Sequence, residues 1–140
     1  MLYTYDIKKF TFTWGIIILD DFFEGGEVTI ERNSDLWVLS KNVTGGGTRA
    51  KQNDSSGRII FSLDQASPVN NEMSAYIALD KISNAGVAPF LARDLNGTTA
   101  VFAENCWAVK DPIVTLGNNS SGREWILETE NLEIFVGGSN

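Results

Sequence analysis

The chain has no histidine. That removes the commonest general base, the commonest metal ligand and the side chain that titrates near neutral pH. Ser-His-Asp and Cys-His catalysis are excluded for the chain acting alone. Cysteine is nearly absent too: the single Cys106 sits in "ENCWAV" among apolar neighbours, which reads as a buried structural thiol. One cysteine allows no disulfide within the chain. Basic residues are scarce, 11 against 18 acids, so the net charge is −7. A chain this acidic lacks the basic footprint of a nucleic-acid reader and is not drawn to anionic lipid. Long apolar runs are also missing. Trp14 to Leu19 is far too short to span a bilayer. Asp20 and Asp21 follow it where a signal peptide would place a small-residue cleavage site.

What remains is mostly strand periodicity over 140 residues, enough for one domain with a real core. Phe10, Phe12 and Trp14 alternate with Thr11 and Thr13, within an extended stretch from Tyr5 to Leu19 that Gly15 breaks. In "EVTIERN", Val28 and Ile30 face one way and Glu27, Thr29 and Glu31 the other. "DLWVLS" is a short apolar strand from Asp35 to Ser40. In "GRIIFSLDQ", Ile59, Phe61 and Leu63 oppose Ile60, Ser62 and Asp64. "APFLARDLNGTTAVFAENCWAV" reads as a hairpin with a type I′ turn at Asn96-Gly97. The last segment, "REWILETENLEIFVGG", changes parity between Thr129 and Leu132, which predicts a bulge or bend at Glu130 and Asn131.

One segment has helical period. Val69, Met73, Tyr76 and Ile77 form a stripe over Pro68–Lys81, with Ser67 as N-cap and Pro68 at the first helical position. The fold class is therefore mainly β: an antiparallel sandwich or barrel of about seven or eight strands with one flanking helix. A single domain over residues 1–140 carries a long inter-strand loop at 41–57.

That loop, within "SKNVTGGGTRAKQNDSSGR", is the one conspicuous polar stretch. It is not a Walker loop: no glycine precedes Lys51, Gln52 follows it, and the next element is a strand. "DLNG" at Asp94 does not fit a calcium loop, because Gly97 would fall at position four and not six. Glu27/Glu31 and Glu124/Glu128 read as solvated strand faces rather than a hydrolytic pair. Trp14, Trp37, Trp107 and Trp125 all sit in strand patterns and read as core. No catalytic, cofactor or metal site is predicted, and the chain is not read as an enzyme. Charge is nevertheless uneven. Lys41, Arg49, Lys51 and Arg58 against Asp54 give residues 41–58 a charge of +3, which leaves −10 on the rest. A basic arm on an acidic body suits docking onto another copy.

"SSGRIIFSLDQASPVNNEMSAYIALD", then "RDLNGTTAVFAENCWAVKDP", then "REWILETENLEIFVGG", with "EGGEVTIERNSD" upstream, follow one another as in a known family. From about Glu24 onward the chain resembles tail tube proteins of contractile-tailed bacteriophages. The order and spacing of the elements carry the resemblance. It implies a structural subunit of stacked, six-membered rings whose inner sheets enclose a conduit for DNA. The implied partners are other copies, a tail sheath protein, and terminator and baseplate or initiator proteins. No membrane is involved, and the implied location is the virion tail after assembly in the host cytoplasm. It further implies that the 41–57 loop reaches the next ring, through Lys41, Gly45, Gly46, Gly47, Arg49 and Lys51. This loop departs from the family, which often carries an acidic Asp-Gly element there. A wall that DNA passes without sticking needs carboxylates and hydroxyls. The candidates on the non-core strand faces are Thr29, Glu31, Ser62, Asp64, Glu124 and Glu128. Two other readings stay open: a β-sandwich binding module, such as an adhesin or a carbohydrate-binding domain, and the tube of a secretion or contractile injection device. A carboxylate-dependent hydrolase fits least.

Overall fold

The computed structural model describes residue 2, residues 10–20, residue 22, residues 27–119 and residues 121–138. Tyr5–Lys9 and the Glu24–Gly26 punctuation lie outside them. The strands are β1 (Phe10–Trp14), β2 (Ile17–Ile18), β3 (Thr29–Arg32), β4 (Trp37–Lys41), β5 (Gly47–Lys51), β6 (Gly57–Asp64), β7 (Ala88–Asp94), β8 (Ala100–Ala108), β9 (Gly122–Thr129) and β10 (Leu132–Phe135). The helix is α1 (Val69–Ser83). Eight strands make one antiparallel sheet in the order β2-β1-β7-β8-β9-β6-β3, with β10 also on β8; β4 and β5 pair only with each other. The mainly β expectation with one helix holds.

β8 organises the sheet. Its first half, Ala100–Ala103, pairs with β10, and its second half, Cys106–Ala108, pairs with β9. β7 runs along the other side, and its register shifts where Ala88 and Phe90 face Cys106 and Ala103. Two β7 steps thus oppose three on β8, so the extra residue is a bulge at Glu104–Asn105. The bulge bends the sheet there, and the two halves curl over a common interior. The parity change near Glu130 has the same origin: the chain leaves β9, turns, and re-enters as β10 on a different stretch of β8.

The apolar face expected for β6 is turned inward. Ile59, Phe61 and Leu63 pair across from Leu127, Trp125 and Arg123, and the three apolar β6 residues are buried. Trp14, Phe90, Val101, Ala103, Cys106 and Leu132 fill the other half. Helix α1 caps the open side with its apolar stripe: Val69 and Met73 are buried, Tyr76 and Ile77 half-buried. Tyr76 lies against Trp14, ring centroids 4.7 Å apart. The helix begins and ends within two residues of the expected limits. The N-cap is Pro68 and not Ser67, which sits one position before it, its Oγ accepting the Val69 N–H at 3.2 Å.

Asn70 ties three elements together. Its Oδ1 accepts the Trp125 indole N–H at 2.9 Å, and its Nδ2 donates to the Asp64 carbonyl at 2.8 Å and the Ser67 carbonyl at 3.1 Å. This gives the "SPVN" stretch a physical role: it locks the end of β6, the helix start and the β9 tryptophan in one geometry.

Two local expectations are corrected. The Asn96-Gly97 turn is not type I′, since neither residue has positive φ. Asp94 shapes it instead, its Oδ1 accepting the Asn96 N–H at 2.9 Å in an Asx turn that removes the need for left-handed backbone. Trp37 is not core. Trp14 and Trp125 are fully buried and Trp107 is half-buried, but Trp37 is exposed on β4. Alternation placed it on a strand correctly, but that strand covers nothing.

Asn70→Ala should leave the buried Trp125 donor unsatisfied and cost about 1–3 kcal/mol. Chemical denaturation of the variant against the parent checks this, with secondary structure unchanged in native buffer.

Candidate assembly surfaces

The predicted 41–57 loop contains a strand. β4 and β5 pair from Trp37↔Lys51 to Lys41↔Gly47 and form a hairpin that stands away from the body. Every residue from Asp35 to Lys51 is exposed. The glycine run closes this hairpin and does not loosen it. Gly45 has φ +90, a conformation L side chains rarely adopt. Asn42 holds the tip: its N–H donates to the Gly46 carbonyl at 2.8 Å, and its Oδ1 accepts from the Thr44 Oγ1 and the Gly46 N–H, each at 2.8 Å.

The base is equally well defined. Asp54 accepts from Ser34 Oγ at 2.8 Å, Ser56 N–H at 3.0 Å and Ser56 Oγ at 2.6 Å. Asn33 Nδ2 donates to Ser56 Oγ at 3.0 Å, and the Gln52 N–H to the Leu36 carbonyl at 2.8 Å. These bonds link the two chain segments where they leave β3 and enter β6. The Ser56 and Ser34 donors hold the Asp54 carboxyl below its ordinary value.

Residues directly opposite on an antiparallel pair share a face. One face of the hairpin therefore carries Trp37, Leu39, Lys41, Arg49 and Lys51. The other carries Val38, Ser40, Thr48 and Ala50. The three predicted cations fall together on the first face, and the Arg49 guanidinium lies 4.9 Å from the Trp37 ring centroid. Arg58, counted with this arm in the sequence, is elsewhere. It lies in β6, and its Nη2 bonds Glu128 Oε1 at 2.7 Å.

The six residues chosen for a non-sticking wall share one surface. Register places Thr29 and Glu31 of β3, Ser62 and Asp64 of β6, and Glu124 and Glu128 of β9 on the non-core face of the β3–β6–β9 half. They are exposed or half-buried. Sequence reasoning missed that Arg58 stands in the same row, between Glu31 and Glu128. Its cross-strand partners were not readable without the register.

The outer face of the other half differs in kind. Thr13 of β1 interrupts the row that Ile18, Leu91 and Phe102 form across β2, β7 and β8; Phe135 of β10 lies in the next row, opposite Ala100. The exposures of Ile18, Leu91, Phe102 and Phe135 are 66%, 42%, 40% and 63%. Nothing in the sequence distinguished this face, because its residues alternate correctly with the core.

The described residues hold no group of three or more acids and cysteine that could bind a metal. Two shallow clefts, of about 200 and 220 Å³, lie beside the helix end and beside Pro112. Both are smaller than the roughly 300 Å³ at which small-molecule sites begin. Trp14 and Trp125, being buried, offer no sugar platform. No described helix is long and apolar enough to cross a membrane.

No protein-family model and no curated protein matches the chain. Solved structures do. The cap that terminates the tube of the anti-feeding prophage superposes with a TM-score of 0.67 at 13% identity, over 96% of this chain and 93% of that one. The sheath/tube terminator of the extracellular contractile injection system PVC, in its extended state, gives 0.67 at 14% identity, over 96% and 99%. A chain of the PVC sheath–tube complex in the extended state gives 0.63 at 12% identity, over 95% and 92%. The chain has the fold of contractile injection system components. The similarity spans nearly the whole of both chains.

Protonating Asp54 should loosen the hairpin base. Its carboxyl is depressed in the folded chain, so its contribution is complete above the unfolded value of 3.8 and disappears as pH falls through the lower folded value. The Ser56 amide resonance should therefore titrate with a midpoint below 3.8, and Asp54→Ala should abolish that titration while core resonances stay in place.

Proposed function

We propose that the chain is a structural, non-enzymatic subunit of a contractile-tail tube, self-assembling into stacked rings around a hollow conduit. The observation that carries this reading is the hairpin. A two-stranded ribbon is marginally stable alone in water. This one nevertheless projects from the body with Trp37, Leu39 and three cations on a single exposed face. Such a face is suited to a partner, and the rest of the chain is strongly acidic. The contact is heterologous, arm to body, and so propagates from one copy to the next. The fold similarity to injection-system tube components supports the same reading, and the resemblance to phage tail tube proteins adds six-membered rings, a sheath outside and DNA inside. Lys41, Gly45, Gly46, Gly47, Arg49 and Lys51 are assigned to ring stacking.

The conduit works by electrostatics and not by chemistry. The β3–β6–β9 outer face would line it, and its carboxylates and hydroxyls repel phosphate over roughly 8–10 Å at physiological salt. Glu128 neutralises Arg58, the cation within the row.

A second reading places the chain at the end of the tube, as a terminator. Two of the structures named above are tube-end components, at 0.67 against 0.63 for the chain of the sheath–tube complex. The two readings differ in what the purified protein builds. A repeating subunit grows hollow tubes in negative-stain images, whereas a terminator stops at single rings and caps tubes made by another protein.

Replacing Leu36–Gln52 with a short glycine linker should leave the body folded and abolish stacking. Unchanged tube growth by microscopy rejects the role of the hairpin. Arg49→Gln with Lys51→Gln should reduce sedimenting assemblies several-fold at low salt and less at high salt, because exposed charges are screened there.

A further inference from the structure

We infer that the apolar outer face of the β2–β1–β7–β8–β10 half is the seat for the hairpin of a second copy. The inference rests on the tube reading and names the receiving surface that reading leaves open. The starting point is the contrast between the two outer faces. One carries hydroxyls and carboxylates around the half-buried Ile60–Ile126 pair; the other carries the exposed Ile18, Leu91, Phe102 and Phe135. Leu91 and Phe102 are cross-strand neighbours and Phe135 lies diagonal to Phe102, whereas Thr13 separates Ile18 from Leu91. Scattered exposed apolar residues need no explanation, but a cluster of this kind marks a contact. Glu104 and Glu133 border this patch, both exposed. Neither forms an ion pair among the described residues.

The hairpin face matches in chemistry and in size. It brings Trp37 and Leu39 to the apolar row, and Lys41, Arg49 and Lys51 to a surface bordered by Glu104 and Glu133. Arg93, the cation of this face, lies in the row of Thr11, Ala100 and Phe135, next to the row of Leu91 and Phe102. The row from Ile18 to Glu133 crosses five strands, about 19 Å at roughly 4.8 Å per strand. Trp37 to Lys41 runs about 14 Å at roughly 3.4 Å per residue. The hairpin therefore fits within the row. Its own copy cannot supply the contact as folded, since every residue from Asp35 to Lys51 is exposed. The seat is filled from outside.

The test uses the full chain. Leu39→Cys and Phe102→Cys are made separately, one carrying a mass tag, and mixed under mild oxidation. Buried Cys106 stays out of the reaction, as the parent protein run alongside verifies. A disulfide-linked pair of the two variants is expected, at least tenfold more abundant than the pair of Leu39→Cys with Glu124→Cys on the acidic face. A second measurement guards against misfolding at Phe102. Glu104→Lys with Glu133→Lys should lower the sedimenting fraction at least tenfold, and Lys41→Glu, Arg49→Glu and Lys51→Glu in the same chain should restore it. Assembly with no preferential link to Phe102, or with no rescue, overturns the seat and leaves the tube reading standing. A parent protein that stays monomeric at every concentration overturns the tube reading, and the seat with it.

Discussion

One strand edge determines the shape of this protein. The edge of β8 that faces away from β7 is used twice, by β10 over its first half and by β9 over its second, with a bulge between. A strand that changes partners midway cannot lie in a flat sheet. The sheet must bend at the exchange, and bending gives it an inside and an outside. The buried core, the cap provided by α1 and the existence of two outer faces all follow from that bend. The bulge also keeps Cys106 pointing inward, where burial pushes its thiol up to about 12. The Trp14 indole donates to the Cys106 carbonyl at 3.0 Å, which fixes the bend to β1.

The two outer faces then take different chemistry. On the β3–β6–β9 half, alternation puts hydroxyls and acids outward around Arg58, Ile60 and Ile126; on the other half it puts Ile18, Leu91, Phe102 and Phe135 outward. In the proposed tube, the first face would meet the conduit and the second a neighbouring copy. The hairpin belongs to the same logic, as the part that leaves the body altogether.

Period-two alternation was enough to recover the core parity of β3, β6 and β9, and period 3.6 recovered α1 to within two residues. The wall candidates Thr29, Glu31, Ser62, Asp64, Glu124 and Glu128 fell on one face because parity is a local property of each strand. Pairing is not local. The row Glu31–Arg58–Glu128 depends on which strands are neighbours and in what register, so Arg58 was assigned to the arm by sequence distance alone. The hairpin was hidden for a related reason: Gly45–Gly47 and the polar residues after them read as a loop, although a ribbon with no face to bury need not be apolar. Trp37 misled in the opposite direction, since an aromatic in a strand is ordinarily covered. Asn96-Gly97 failed because Asp94 offers a side-chain bond that satisfies the turn without positive φ.

The isolation of the hairpin separates two quantities that are usually measured as one. Its opening free energy is local: Asn42, Gly45 and the Asp54 cluster set it, with no help from the core. A substitution that frays the ribbon leaves Trp14, Phe61 and Leu127 packed as before. The melting temperature of the purified chain then reports on the body and is silent about the hairpin. Variants of this protein sorted by thermal stability alone would be scored as intact after the hairpin had frayed.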